Sequence, residues 1–146
     1  MKVTAQNRRA RFDYEILETT EAGIVLTGQE AKSCRMGHVN LSGAYVSFLR
    51  EKPVLKNMGI SRYTYASKNE PYDERRDRDL LLSATEIHKL QTKTEEKGMA
   101  VVPLELHVGK FVKVLLGLGR GRKKVDKRHR IKEREVERKL KSGGEY

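Results

Sequence analysis

The chain has no tryptophan, a single cysteine, three prolines and no long apolar run among its 146 residues. Each shortage removes a class of protein. One cysteine, Cys34, cannot close an internal disulfide or supply a cysteine-rich zinc site. No stretch approaches the ~20 apolar residues of a membrane-spanning helix. The start, Met1-Lys2-Val3-Thr4-Ala5-Gln6-Asn7-Arg8-Arg9, lacks the apolar centre of a secretory signal, so a soluble, intracellular chain is expected. The four histidines, at 38, 88, 107 and 129, never adopt the i, i+4 spacing of a helical zinc pair. No Gly-x-Ser-x-Gly nucleophile motif occurs. No catalytic residue, metal or cofactor is assigned on these grounds. Apolar residues make up only 37 % of the chain, enough for one domain with a modest core.

Charge, by contrast, is abundant: 35 % of residues are charged and the net charge is +11. The last thirty residues, 117–146, hold twelve lysines and arginines against five acids, a surplus of seven that is over half of the whole excess. Positive charge on this scale draws phosphate chains and gains affinity by releasing condensed counterions, which favours nucleic acid over an anionic membrane. The bland reading of the tail is a solvated terminus. The Gly117-Leu-Gly119-Arg-Gly121 run fails as a dinucleotide fingerprint, because its third glycine comes one position early and no apolar helix follows. It reads instead as a flexible exit from the last strand. Beyond it, 131–141 has good helix formers and the favourable pairs Glu135–Lys139 and Glu137–Lys141. So short a segment should fold only against RNA.

In front of the tail the pattern is mostly β. Residues 1–11 are polar and basic, with Arg8, Arg9 and Arg11 close together, and read either as a frayed end or as an arm on phosphate. Phe12, Tyr14 and Ile16 alternate with polar neighbours, Thr19–Gly23 interrupts, and Ile24-Val25-Leu26 follows, which predicts a hairpin. Thr27 and Glu30 form a capping box opening a helix over 28–36, closed by Gly37. Glu30 is then either a cap or a carboxylate that accepts hydrogen bonds from a guanine edge or an RNA sugar. A second hairpin spans 41–58 around Arg50–Pro53. Between 60 and 79, tyrosines interleave with arginines, which suits either an irregular solvated loop or a stacking surface for unpaired bases. Ser83 and Glu86 cap a second helix that should bury Ile87 and Leu90 and stop near Gly98. Two strands, 100–108 and 111–117, turn at Gly109-Lys110, and Pro103 points to an edge or a bulge. About six strands in hairpins, two or three short helices and no long crossovers predict a mainly β, antiparallel, OB-fold-like barrel, partly open or closed, over 1–118, with a basic tail over 119–146.

Several motifs taken in order are more specific than any of these patterns. Asn7-Arg8-Arg9-Ala10-Arg11, the run 23–33 (Gly-Ile-Val-Leu-Thr-Gly-Gln-Glu-Ala-Lys-Ser), Val39-Asn40-Leu41, the run 57–61 (Asn-Met-Gly-Ile-Ser), Val102-Pro103-Leu104, Leu116-Gly117-Leu118 and Asp126-Lys127-Arg128 resemble the bacterial small protein B, or SsrA-binding protein, family. The resemblance implies a cytoplasmic protein, expected as a monomer, that partners transfer-messenger RNA in trans-translation, the rescue of stalled ribosomes. It implies a barrel that holds the tRNA-like end of that RNA, and a tail that turns helical in the decoding centre and empty message channel. Arg8, Arg9, Arg11, Glu30, Lys32 and Asn40 are the residues expected at the RNA. Gly121, Arg122, Lys123, Asp126, Lys127 and Arg128 match the tail motifs expected to act on the ribosome. Gly59, Arg62, Glu74 and Asp79 depart from the family pattern, as does the Arg122-Lys123 pair where two lysines are common. Two competitors remain from the residues alone: a structural ribosomal protein, and a small nuclease using His107 or His38 as its base.

Overall fold

In the computed structural model, which describes residues 2–64 and 71–122, two ten-residue strands near the C-terminal end template the rest. In chain order the elements are β1 (Lys2–Gln6), α1 (Arg8–Asp13), β2 (Tyr14–Ile24), α2 (Gly28–Arg35), β3 (Val39–Asn40), β4 (Tyr45–Leu49), β5 (Lys52–Lys56), β6 (Gly59–Ile60), β7 (Arg78–Leu81), α3 (Ala84–Thr94), β8 (Met99–Val108) and β9 (Val112–Gly121). Seven strands form one antiparallel sheet in the order β1-β8-β9-β2-β7-β5-β4, and β3 pairs separately with β6. The described residues are mainly antiparallel β with three helices, as the patterning predicts. The sheet curls until β4 lies against β8, but no ladder joins its edge strands β1 and β4, so the barrel is open. The described residues hold nine strands where six or so are expected: the two strands expected over 12–26 are one, β2, and β1, β3, β6 and β7 are too polar or too short to show an alternating pattern.

The hairpin expected over 12–26 does not form. Phe12 belongs to α1, and Thr19–Gly23 is uninterrupted strand paired with 113–117 of β9. The long neighbour supplies a ladder partner for each of these residues, which overrides their weak local preference. A register shift beside Leu17 takes up one residue and lets both flanking segments stay paired. In the 1–11 stretch, read as a frayed end or an arm on phosphate, residues 2–11 are anchored rather than frayed. The backbone N–H of Asn7 donates to the Leu104 carbonyl at 2.7 Å, and the Asn7 side chain both caps α1 and ties it to two other segments.

Both capping boxes form as written in the sequence, at Thr27/Glu30 and Ser83/Glu86, and Gly37 (φ +78°) and Gly98 (φ +82°) take the left-handed conformation. The second hairpin is β4–β5, and its turn places Arg50 and Glu51 at φ 54° and 60°. Two consecutive positive angles match the twist of the strands, here without the usual glycine. Pro103 sits at a register shift beyond the end of the β1 ladder, the bulge that a proline in β8 predicted. The glycines read as a flexible exit are strand residues. A β-carbon on Gly117 would lie 2.7 Å from Leu104 Cδ1, and on Gly119 2.8 Å from Tyr14 Cβ, so these positions are bare to let packing close over them.

The main core fills the concave side, with Leu55, Met58, Ile60, Leu106 and Val114 fully buried. A smaller cluster of Ala10, Val102 and Leu104, with Tyr14 and Ile16 against it, pins α1 to the opposite side of the sheet. This second cluster fixes α1 and its arginines relative to the strands.

Candidate nucleic-acid interface

At the N-terminus of α2 one carboxylate organises three segments. Glu30 is 1 % exposed. Its Oε1 accepts from the Thr27 backbone N–H at 2.9 Å and from Arg76 at 2.6 Å, and its Oε2 accepts from Arg78 Nε at 2.7 Å. Arg78, itself fully buried, also donates to the carbonyls of Met58 at 2.5 Å and Glu74 at 3.1 Å. Burial alone would raise the Glu30 carboxyl, but Arg76, the Thr27 N–H and Arg78 outweigh it and hold the group below its ordinary value. The cap reading of Glu30 thus holds locally, and the carboxylate further anchors the 71–78 segment to α2. As found, its lone pairs face protein donors.

The described part of the 60–79 region is irregular and mostly exposed, but side-chain contacts tie it to the rest of the fold. Tyr72 donates its hydroxyl to the Ile60 carbonyl at 2.5 Å, Arg75 reaches the Asn57 carbonyl and side chain, and Arg62 lies over the Tyr72 ring. The Lys32 ammonium sits 5.2 Å from the centre of the Tyr63 ring, while the Tyr63 N–H donates to Gln29. Beside them Thr27, Gln29, Tyr72, Asp73 and Arg76 line a hollow of about 380 Å³ into which half-exposed Arg76 opens. Residues 65–70, with Tyr65 and Lys68, lie outside the described part of the chain. Arg78 was missed as a structural residue because nothing local distinguishes a buried arginine from its exposed neighbours Arg75 and Arg76.

The α1 arginines do not join this cluster. Arg8 is exposed, Arg9 pairs with Asp13 at 3.0 Å, and Arg11 reaches Glu105 at 3.6 Å. Asn40, on β3, accepts from the Ser42 N–H. Across the same sheet face as Glu105, His107 places Nδ1 2.9 Å from Glu21 and Nε2 2.9 Å from Glu105, and Lys113 stands 3.5 Å from Glu21. Both ring nitrogens can donate only in the imidazolium. The Glu105 and Glu21 hydrogen bonds accordingly raise the histidine above its usual range against the opposing effect of burial. A base so engaged on both nitrogens is poorly placed for the nuclease alternative. Cys34 is fully buried, which pushes its thiol up to about 12 and leaves it unreactive.

Of the expected tail residues, Gly121 ends β9 with its N–H on the Gly98 carbonyl at 2.8 Å, and the Arg122 N–H donates to the Asp13 carbonyl at 2.8 Å. Lys123, Asp126, Lys127 and Arg128 lie outside the described residues. Among the described residues no helix is long and apolar enough to cross a membrane, and no group of three histidine, cysteine or acidic side chains could hold a metal ion.

A family profile described as "SmpB protein" matches residues 4–144. The SsrA-binding protein of Coprothermobacter proteolyticus is 47 % identical over 148 residues, covering 99 % of this chain and 97 % of that protein. The SsrA-binding protein of Acaryochloris marina is 47 % identical over 149 residues with the same coverage. A solved structure described as "tmRNA-SmpB: a journey to the center of the bacterial ribosome" aligns with a TM-score of 0.70 at 45 % identity, over 85 % of this chain and 87 % of that one. Matched by the profile from residue 4 to residue 144, and nearly half identical to such relatives along almost its full length, the chain belongs to the SmpB protein family.

Proposed function

We propose that the chain binds transfer-messenger RNA through its tRNA-like part and carries it to stalled ribosomes, acting in the cytoplasm as a monomer without catalysing a reaction. The observation that supports this most directly is the 45 % identity, at a TM-score of 0.70, to a solved structure whose description places tmRNA and SmpB in the bacterial ribosome. The folded part supplies recognition and the basic tail acts on the ribosome, in the decoding centre and message channel. Arg8, Arg9 and Arg11 on α1, and Lys32 on α2, supply cations for phosphate, with Asn40 as a polar contact. Glu30 acts from beneath, presenting Arg76 at the hollow beside α2 and holding the 71–78 segment in place.

The test is binding of the tRNA-like part of transfer-messenger RNA against an ordinary tRNA across a salt series. It compares the intact chain with one truncated after Arg122, so that β9 stays whole. Similar, selective affinity of both forms supports recognition by the folded part, with the tail reserved for the ribosome. Loss of both affinity and salt slope on truncation contradicts it and indicates a generic basic RNA binder.

A further inference from the structure

At one end of the sheet three segments meet: the start of β1, the last turn of α2 and the β8–β9 turn. Lys2 pairs with Val108 and Val3 with His107. Arg35, from α2, donates to two consecutive turn carbonyls, Gly109 at 2.7 Å and Lys110 at 3.2 Å. That clamp joins positions 74 and 75 residues apart in sequence and ties the turn to α2. The turn displays Phe111, 64 % exposed, with the Lys110 ammonium 5.8 Å from its ring centre. Met36 is 49 % exposed and Val3 42 %. Neither β1, nor α2 from Ala31 onward, nor the turn contains an acidic residue.

We propose that this end is a platform on which one unpaired RNA base stacks on Phe111, with Lys2, Lys110 and the rim of Arg35 facing the adjoining phosphates. This goes further into the proposed function and rests on the chain being an RNA binder. An exposed aromatic on a clamped turn offers a stacking face at little ordering cost, and base stacking on aromatic side chains is tolerant of sequence. The basic side chains of these three segments match a polyanion, and the acids near them, Glu21 and Glu105, are engaged by His107 and Lys113. An anionic lipid surface would be drawn to the same charges. The flat ring beside a lysine, more exposed than Met36 or Val3, favours a base.

The absence of tryptophan makes the test direct, since Phe111→Trp places a lone reporter on the platform. The probes are the tRNA-like part of transfer-messenger RNA, a short unstructured oligoadenylate, and phosphatidylglycerol vesicles. The intact chain carrying F111W should bind the tRNA-like RNA at least as tightly as the parent, with its emission quenched. F111A should bind about tenfold or more weaker, the loss of one stacked base. Its salt slope and melting temperature should not change, because the ring is mostly exposed. Lys110→Ala should lower the salt slope by about one. Undiminished binding by F111A, or F111W emission that stays constant while RNA binds, overturns the platform. So does a response to vesicles alone. A parent chain that fails to prefer the tRNA-like RNA over ordinary tRNA overturns the proposed function instead, and the platform then stands or falls on quenching by the oligoadenylate.

Discussion

Arg78 and Glu30 lie side by side under the surface, Nε 2.7 Å from Oε2, with side chains 0 % and 2 % exposed. Glu30→Met strands the buried Arg78 and loses the α2 cap, so it should cost about 3–5 kcal/mol. Arg78→Met should cost less, because Arg76 and the Thr27 N–H still hold Glu30. The double substitution should cost less than the sum of the two, because no unpaired charge then remains buried. Urea unfolding of the four proteins closes the cycle, and strict additivity would contradict a coupled pair.

Gly119 and Gly121 belong to one strand but should respond differently to alanine. A β-carbon at 119 meets Tyr14 Cβ at 2.8 Å, Ile16 Cδ1 at 3.1 Å and the Glu15 carbonyl oxygen at 3.3 Å, while one at 121 meets only the Gly98 carbonyl oxygen at 3.7 Å. Gly119→Ala should lose about 1–3 kcal/mol by overpacking, and Gly121→Ala should stay within about 0.5 kcal/mol of the parent. Any ribosomal defect of the Gly121 variant would then be separable from folding in a thermal melt.

The His107 brace predicts a stability plateau in pH. Its pKa is raised by Glu105 and Glu21, so its contribution is complete below the ordinary histidine value and is lost as pH rises through the raised one. The Glu21 carboxyl is lowered by the His107 hydrogen bond first, with Lys113 adding to it against burial, so its contribution is lost as pH falls through that lowered value. Between the ordinary carboxylate and ordinary histidine values both contributions are complete. Melting temperatures from pH 4 to 9 should show the alkaline decline in the parent, and His107→Gln should remove that decline.

Asn7 is 4 % exposed and makes three contacts: its Oδ1 accepts from the Ala10 N–H, and its Nδ2 donates to the carbonyls of Leu41 and Pro103. Asn7→Ala removes a helix cap and leaves two carbonyls short of a donor, a loss of roughly 2 kcal/mol or more. Hydrogen exchange should show α1 opening before the β8–β9 ladder. Simultaneous opening of the two would mean that α1 is not held through Asn7.

Some of this molecule is written locally. The Thr27/Glu30 and Ser83/Glu86 boxes, the glycine stop at 37, and the β4–β5 and β8–β9 hairpins depend on residues within a few positions of one another, where side-chain chemistry and spacing suffice, whereas α3 ends at Thr94, short of Gly98. The basic excess and the family motifs are likewise properties of the linear chain. What the strand pairing decided is different in kind. Thr19–Gly23 is strand because β9 lies beside it, and β1 exists because β8 offers an edge. Gly117 and Gly119 are packing positions because Leu104 and Tyr14 arrive from elsewhere, and Arg78 is a core residue because Glu30, 48 positions away, meets it. The sequence by itself determined the chain's charge, its caps and its short hairpins, since these need only neighbours. Which polar residues turn inward, and which face of each strand meets solvent, were decided only when distant segments met, because a hydrogen bond or ion pair takes its energy from the partner that excludes water.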